Sequence, residues 1–336
     1  RELTFPWNRP LIIGIILLLL ALGWLRTNSG DTELVRRSRL MMGTIVEVVA
    51  SGQDTGQLNA AVDDAFAEMA RLDRLLSRHY QDSDVSRLSQ SSKGGKIAPE
   101  TAEVVALGLD VARRSKGAFD MTLGHLKILW AIDQENPVVP TQAAIAEALE
   151  GIGFQSLSLE GLNLIKQSPQ LMVDLGGIAK GYIVDQAVVV LKKHGVTSGA
   201  VNAGGDMYLL GQHPEHPWRI GIQHPREQGG ILTTVQVRDK AVVTSGDYER
   251  FFEQEGQRYH HIFDPETGSP ARGCQSVTVI TDSVALGDAL ATALFVLGPQ
   301  KGLALLAEYP GSAGLIVAAD GTLHPSPGWA NYTGSP

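Results

Sequence analysis

Asp174-Leu175-Gly176-Gly177-Ile178-Ala179-Lys180-Gly181-Tyr182 follows a short apolar run, Leu171–Val173, and opens a long helical pattern. A strand, a glycine turn and a helix start together place backbone N–H groups where an anion can meet them. With a lysine and an aspartate in the same turn, the segment suits a nucleotide-like ligand carrying phosphate and polar ring edges. It equally suits a tight connection whose glycines only supply φ > 0. It is not a P-loop, because Gly181 and not Ser or Thr follows Lys180, and its glycines do not run G-x-G-x-x-G.

Further along, Gly287-Asp288-Ala289-Leu290-Ala291-Thr292 sets a carboxylate and a hydroxyl four residues apart, on one face of a helix. Small residues between them admit a close approach to the backbone. A carboxylate, a hydroxyl and a carbonyl suit a hard cation such as Mg2+, which keeps phosphate oxygens as its other ligands. The alternative is local: Asp288 favoured by the helix dipole, Thr292 bonded back to a carbonyl. In Tyr259-His260-His261-Ile262-Phe263-Asp264 the paired histidines could bind a metal. Neighbours on a strand point to opposite faces, however, so one histidine can enter a site while the other faces away. His261 then serves to orient or to handle a proton. Three turn-rich segments add polar residues: Gly117–Thr122, Asn202–Asp206 and Thr244–Tyr248. Each can be a ligand edge or ordinary turn chemistry.

The elements that must position these residues are short. Ile45–Ala50 reads as a strand. Leu58, Val62, Ala65, Met69, Leu72 and Leu76 recur at helical steps. Ser77–Lys96 is polar and loop-like. Helices follow from Pro99 to Lys116 and from Thr141 to Gly151, then strands near 157–159, 164–166 and 171–173, and a helix over 179–194. Beyond it lie short alternating runs at 200–202, 207–210, 219–223, 232–237, 241–244 and 277–281. Helices at 286–297 and 300–309 precede a last strand at 315–318. Helices and strands mix without βαβ alternation, which predicts an α+β fold with mixed, largely antiparallel sheets.

Formal net charge is -8 over 336 residues, with no basic block, so a nucleic-acid footprint is not expected. The single cysteine, Cys274, excludes an internal disulfide, and nothing adjacent in sequence activates its thiol. Leu11–Leu25 is uncharged and apolar, flanked by Arg1, Arg9 and aromatic residues. It reads as a membrane anchor or as a signal peptide with a small-residue cleavage site after Gly23. Either exports the rest. The expected organisation is a flank (1–9), a transmembrane anchor or signal sequence (10–25), a polar linker (26–40), one catalytic domain (41–330) and a tail (331–336).

Taken in order, Met42-Gly43-Thr44, the Leu76–Ser83 segment, GAFDMT, DLGGIAKGY, VNAGGDMYLLG, VTSGDYERFF, HHIFDPETG and DALATALFVLG resemble the ApbE family of flavin transferases. The match runs from Met42 to about Leu323. The resemblance implies an ApbE-like, T-fold-related domain that binds FAD with Mg2+, transfers FMN to a threonine hydroxyl of another protein and releases AMP. The acceptor is expected to be a membrane redox-complex subunit, and the catalytic domain to face the periplasm or exterior beside the inner membrane. By position, Met42, Tyr80, Ala118, Phe119, Asp120, Asp174, Lys180 and His261 match the family's FAD contacts. Its metal site maps to Asp288 and Thr292, with backbone oxygens near Gly177 and Ala291. The family also includes members proposed to act as FAD pyrophosphatases, and many carry a lipobox cysteine that this chain lacks.

Overall fold

The computed structural model describes residues 32–213 and 216–333. The apolar run at 11–25 lies outside the described residues. An eight-stranded sheet forms the frame: β1 (Glu33–Met41), β2 (Thr44–Gly52), β3 (Ser198–Ala203), β4 (Asp206–Leu210), β5 (Lys240–Gly246), β6 (Cys274–Thr281), β7 (Ala313–Ala318) and β8 (Leu323–Pro325). The strands lie side by side in chain order, and every neighbouring pair is antiparallel. Helices α1 (Thr55–Leu76), α2 (Pro99–Arg114), α3 (Ala179–Lys193) and α4 (Val284–Leu306) are inserted between them. The α+β, antiparallel expectation therefore holds.

Alternation along the strands explains the layering. Val277 and Val279 on β6 join one large core with α1, α3 and α4, while Ile280 joins Leu209, Val242 and Trp329 on the opposite face. That second face is roofed by the hairpin Trp218–Gln223 and Ile231–Val237. The strand β6 is buried along its whole length, as a central strand covered on both faces should be.

Four expectations need correcting, the first being that the strand at 315–318 is the last: β8 follows it and pairs with β7. The second half of the 26–40 linker is strand β1, paired residue by residue with β2. Its arginines and exposed positions are those of an edge strand, which charged residues protect from further pairing. The Ser77–Lys96 loop contains a helix, Asp84–Gln90, and a short strand, Gly94–Lys96. Residues 171–173 form no strand; Met172 makes one isolated bridge to Leu123. Among the described residues, α4 alone is long and apolar enough to cross a membrane, but most of it is buried within the fold. It also breaks at Gly298, whose φ is 74°, before Pro299, which accounts for the two helical patterns seen in sequence.

Candidate active site

Helices α3 and α4 are locked together at their N-termini, and that lock builds the site. Asp185 of α3 accepts hydrogen bonds from the first N–H groups of α4, at 2.8 Å from Val284 N and 3.0 Å from Ala285 N. In return Asp288 of α4 accepts from Gly181 N of α3 at 3.3 Å. Each helix start receives the other's carboxylate, as the helix dipole favours. Gly181 permits the approach: a Cβ there would lie 2.5 Å from the Val284 carbonyl oxygen. Neither Gly176 nor Gly177 has a positive φ; they too are glycine for close approach. A Cβ on Gly177 would lie 3.3 Å from the Phe119 ring and 3.6 Å from Thr292 Oγ1.

Two contiguous cavities open at this lock. The deeper one is lined by Phe119, Gly177, Lys180, Asp206, Asp288 and Thr292. The wider one, about 2300 Å³ counting its open mouth, is lined by Met42, Thr44, Arg78, Tyr80, Asp133 and Gly204 among others. Its enclosed part, about 900 Å³, lies at the upper end of the roughly 300–1,000 Å³ of an ordinary small-molecule pocket. Lys127, Asp174, Lys180, Glu249, Arg250 and His261 line both, so three cations stand along the seam.

Charge at the seam is unevenly balanced. Lys180 Nζ lies 2.5 Å from Asp206 Oδ2, although not aligned as a hydrogen bond, so that buried oxygen has an ionic partner but no donor directed at it. Burial works against the Lys180 charge, but Asp206, Asp288 and Glu249 outweigh it and raise its pKa. Three carboxylates thus share one ammonium. Burial and then Asp206 push Asp288, only 6% exposed, up to about 8. Solvent reaches Glu249 in the open cleft, yet the surrounding protein and then Asp206 raise it to about 7 against the pull of Lys180. Three carboxylates around one ammonium, with Asp206 and Asp288 buried, suit a bound cation.

Burial, then Arg250, His260 and Lys127, hold His261 well below its ordinary pKa, so its ring stays neutral. Its Nδ1 is 3.3 Å from the Arg250 carbonyl oxygen, which can only accept, so Nδ1 carries the proton and Nε2 keeps a free lone pair. His260 turns the other way: buried, bonded through Nε2 to the Ala271 carbonyl at 2.7 Å and set edge-on to Phe295.

Residues 42–316 match the sequence pattern of the ApbE family. The chain belongs to that family. It is 35% identical over 317 residues to the FAD:protein FMN transferase of Treponema pallidum, covering 87% of this chain and 86% of that one. It is 36% identical over 258 residues to the FAD:protein FMN transferase of Vibrio cholerae, covering 73% and 77%. The crystal structure of the ApbE protein from Thermotoga maritima superposes with a TM-score of 0.83 at 31% identity, over 90% of this chain and 100% of that chain. The flavin transferase ApbE from Vibrio cholerae superposes at 0.80 with 32% identity, over 90% and 100%.

Against this ApbE frame, the residues singled out in sequence sort by what their side chains are free to do. Met42 and Gly43 form the two-residue turn between β1 and β2, both at positive φ (52° and 71°). The turn type demands this, and a methionine there is strained, a mark of functional loops. Met42 and Tyr80 sit together on the wall of the wide cleft. Ala118, Phe119 and Asp120 line the deep one, but the Asp120 carboxylate is consumed internally, accepting from Thr122 N, Thr122 Oγ1 and Phe154 N. That loop can offer a ligand its backbone and the Phe119 ring. Asp174 is likewise engaged, by Lys127 Nζ, Gly176 N at 2.8 Å and Arg78 at 3.7 Å. Burial would raise its pKa, but the two cations overcome that and lower it. Ala291 is buried in the core directly before Thr292. Cys274 opens β6, and burial pushes its thiol up to about 12, an inert group.

Sequence reasoning missed Arg78, Lys127, Asp185, Asp206, Glu249 and Arg250 as site builders. Asp185 had a signal: an acid inside an otherwise apolar helical run is rarely buried without a partner. Asp206 stood in a segment legible as turn chemistry, and its neighbour Asn202 does make that turn, accepting from Gly205 N at 3.0 Å. In Thr244–Tyr248 the carboxylate faces away: Asp247 holds Arg226 in a bidentate pair at 2.7 Å, while Thr244 and Ser245 line the cleft.

Proposed function

We propose that this chain moves FMN from FAD to a threonine hydroxyl of a second protein, releases AMP, and holds Mg2+ at Asp288 and Thr292 while doing so. The observation that carries the reading is the seam. A cleft with room for both halves of a dinucleotide narrows onto Lys127, Lys180 and Arg250, where a pyrophosphate would lie. The ApbE relatives' activity agrees with that layout.

The donor set fits a hard cation. Asp288 contributes a carboxylate, Thr292 a hydroxyl, and Gly177 its neighbouring backbone. Among the described residues no cluster of three or more His, Cys, Asp or Glu side chains could cage a metal alone. That favours an ion which keeps water and phosphate oxygens as ligands. When bound, Mg2+ would supply charge neutralisation to the pyrophosphate.

The chain's own residues do the rest. Lys180 and Arg250 hold the phosphates in line. Met42, Tyr80 and Phe119 give the flavin an apolar wall. The threonine oxygen forms a bond to the FMN phosphorus, and the bond from that phosphorus to the bridging oxygen breaks, so AMP leaves with that oxygen. The hydroxyl proton passes to Nε2 of His261, neutral and facing the cleft. Water in place of threonine would give FMN and AMP by hydrolysis. Incubation with FAD, Mg2+ and a threonine-bearing acceptor domain separates the cases. Covalent flavin fluorescence on the acceptor is expected; free FMN alone would make the chain a pyrophosphatase, and unchanged FAD would make it a binding protein.

The apolar segment 10–25 supports a tether that keeps the domain on the periplasmic or exterior side of the inner membrane. There it would raise the effective concentration of membrane-bound acceptors, such as redox-complex subunits. N-terminal sequencing of the mature protein tests this; a start at Trp24 would mean cleavage and a released enzyme.

A further inference from the structure

We infer that Asp206 is a positioning residue: it holds the Lys180 ammonium at the seam of the cleft and keeps it off Asp288. The inference rests on the transferase reading, in which Lys180 meets the FAD pyrophosphate and Asp288 belongs to the cation.

Lys180 rises from the first turn of α3 among three carboxylates, Asp206, Asp288 and Glu249, with the Arg250 cation nearby. Among the described residues its one ion pair is with Asp206. Asp206 is suited to win that competition. It is the first residue of β4, paired with Ala203 across a turn whose glycines 204 and 205 both have positive φ (63° and 102°). It is 1% exposed, and the backbone of Thr244 on β5 holds it as well. Asp288, by contrast, already accepts from Gly181 N, one residue beyond the lysine. Without Asp206, the carboxylate that next most strongly attracts the ammonium is Asp288, and a lysine drawn there abandons the phosphates.

Positioning and simple charge predict opposite results. Deleting a negative charge beside an anion site should tighten FAD binding by Coulomb's law. Losing the aim of Lys180 should weaken it, by about the ten-fold that one charge-assisted hydrogen bond supplies. The test is metal-free FAD binding by flavin fluorescence on the full chain, for wild type, Asp206→Asn, Lys180→Met and the double variant. Asp206→Asn is expected to bind about ten-fold more weakly, and the double variant no more weakly than Lys180→Met alone, because the loss passes through the lysine. Unchanged or tighter binding by Asp206→Asn overturns the role, as does a double variant weaker by the product of the single losses. If Asp206→Asn does not fold, by circular dichroism, Asp206→Ser stands in with the same expectations. Wild type that fails to bind FAD overturns the transferase reading and this role together; wild type that binds while Asp206→Asn is unaffected overturns this role alone.

Discussion

Asp288→Asn should make the metal-free protein more stable and catalytically inert at once. The Asn oxygen can still accept from Gly181 N, so the helix lock survives while the buried charge goes. Moving the carboxyl from 3.8 to about 8 makes its ionisation harder by ~1.4 kcal/mol for every tenfold of acidity lost. That bounds the cost of its charge at roughly 5–6 kcal/mol. Asp206 titrates with it, so the recoverable share is smaller, about 2–3 kcal/mol. The sign follows from linkage. A carboxyl with a raised folded pKa costs nothing below its unfolded value, and its cost grows until pH passes the folded value. The Asp288 contribution to metal-free stability should therefore fall as pH rises from about 4 to about 8, and the comparison with Asp288→Asn isolates it from other titrating groups such as His260 and His261. At roughly 2–4 °C per kcal/mol, Asp288→Asn should melt about 5–10 °C above wild type at pH 8 in chelator, with the gap closing near pH 4. Scanning calorimetry at the two pH values reads this, and Mg2+-dependent FAD turnover on the same samples should fall by orders of magnitude. A variant that melts no higher at pH 8, or that keeps Mg2+-dependent turnover, would refute the assignment of Asp288 as a strained, cation-seeking carboxylate.

His261→Ala should cut transfer about 10²–10⁴-fold with a small change in FAD affinity, whereas His260→Ala should lower the melting temperature and leave turnover per folded molecule intact. Equal losses of turnover in both would contradict the orientation. Magnesium affinity by calorimetry should rise with pH up to about 8, because a proton must leave Asp288; a flat profile would mean that Asp288 is not the ligand. Gly181→Ala sets a methyl 2.5 Å from a carbonyl that cannot move alone. It should cost roughly 1–3 kcal/mol in stability and weaken Mg2+ binding by parting α3 from α4, and an unchanged melting temperature would disprove the lock.

Much of this was legible in the chain because its signals are local. The 3.6-residue pattern fixed α1, and alternation with turn residues found most sheet strands to within two or three residues. The opposed faces of His260 and His261 follow from adjacency on extended chain. What stayed hidden was set by distant partners. Edge strand β1 looks like a linker because only one of its nine positions is buried. Gly176 and Gly177 suggest φ > 0, but the reason for glycine is close approach: the Asp174 carboxylate and the Lys127 ammonium at Gly176, and the Phe119 ring, far away in sequence, at Gly177. Asp120 and Asp174 look like ligand contacts, yet their oxygens are claimed by Phe154 N and by Lys127 and Arg78. Asp206 reads as a turn residue until the fold brings Lys180 to it.

The central claim is tested most directly by mass spectrometry of an acceptor domain after incubation with this protein, FAD and Mg2+. Transfer predicts one FMN joined through phosphate to a threonine, with one AMP released per labelled acceptor and no label on the threonine-to-alanine acceptor. AMP and FMN released with the acceptor unmodified, or a label carried by any other residue, would contradict it.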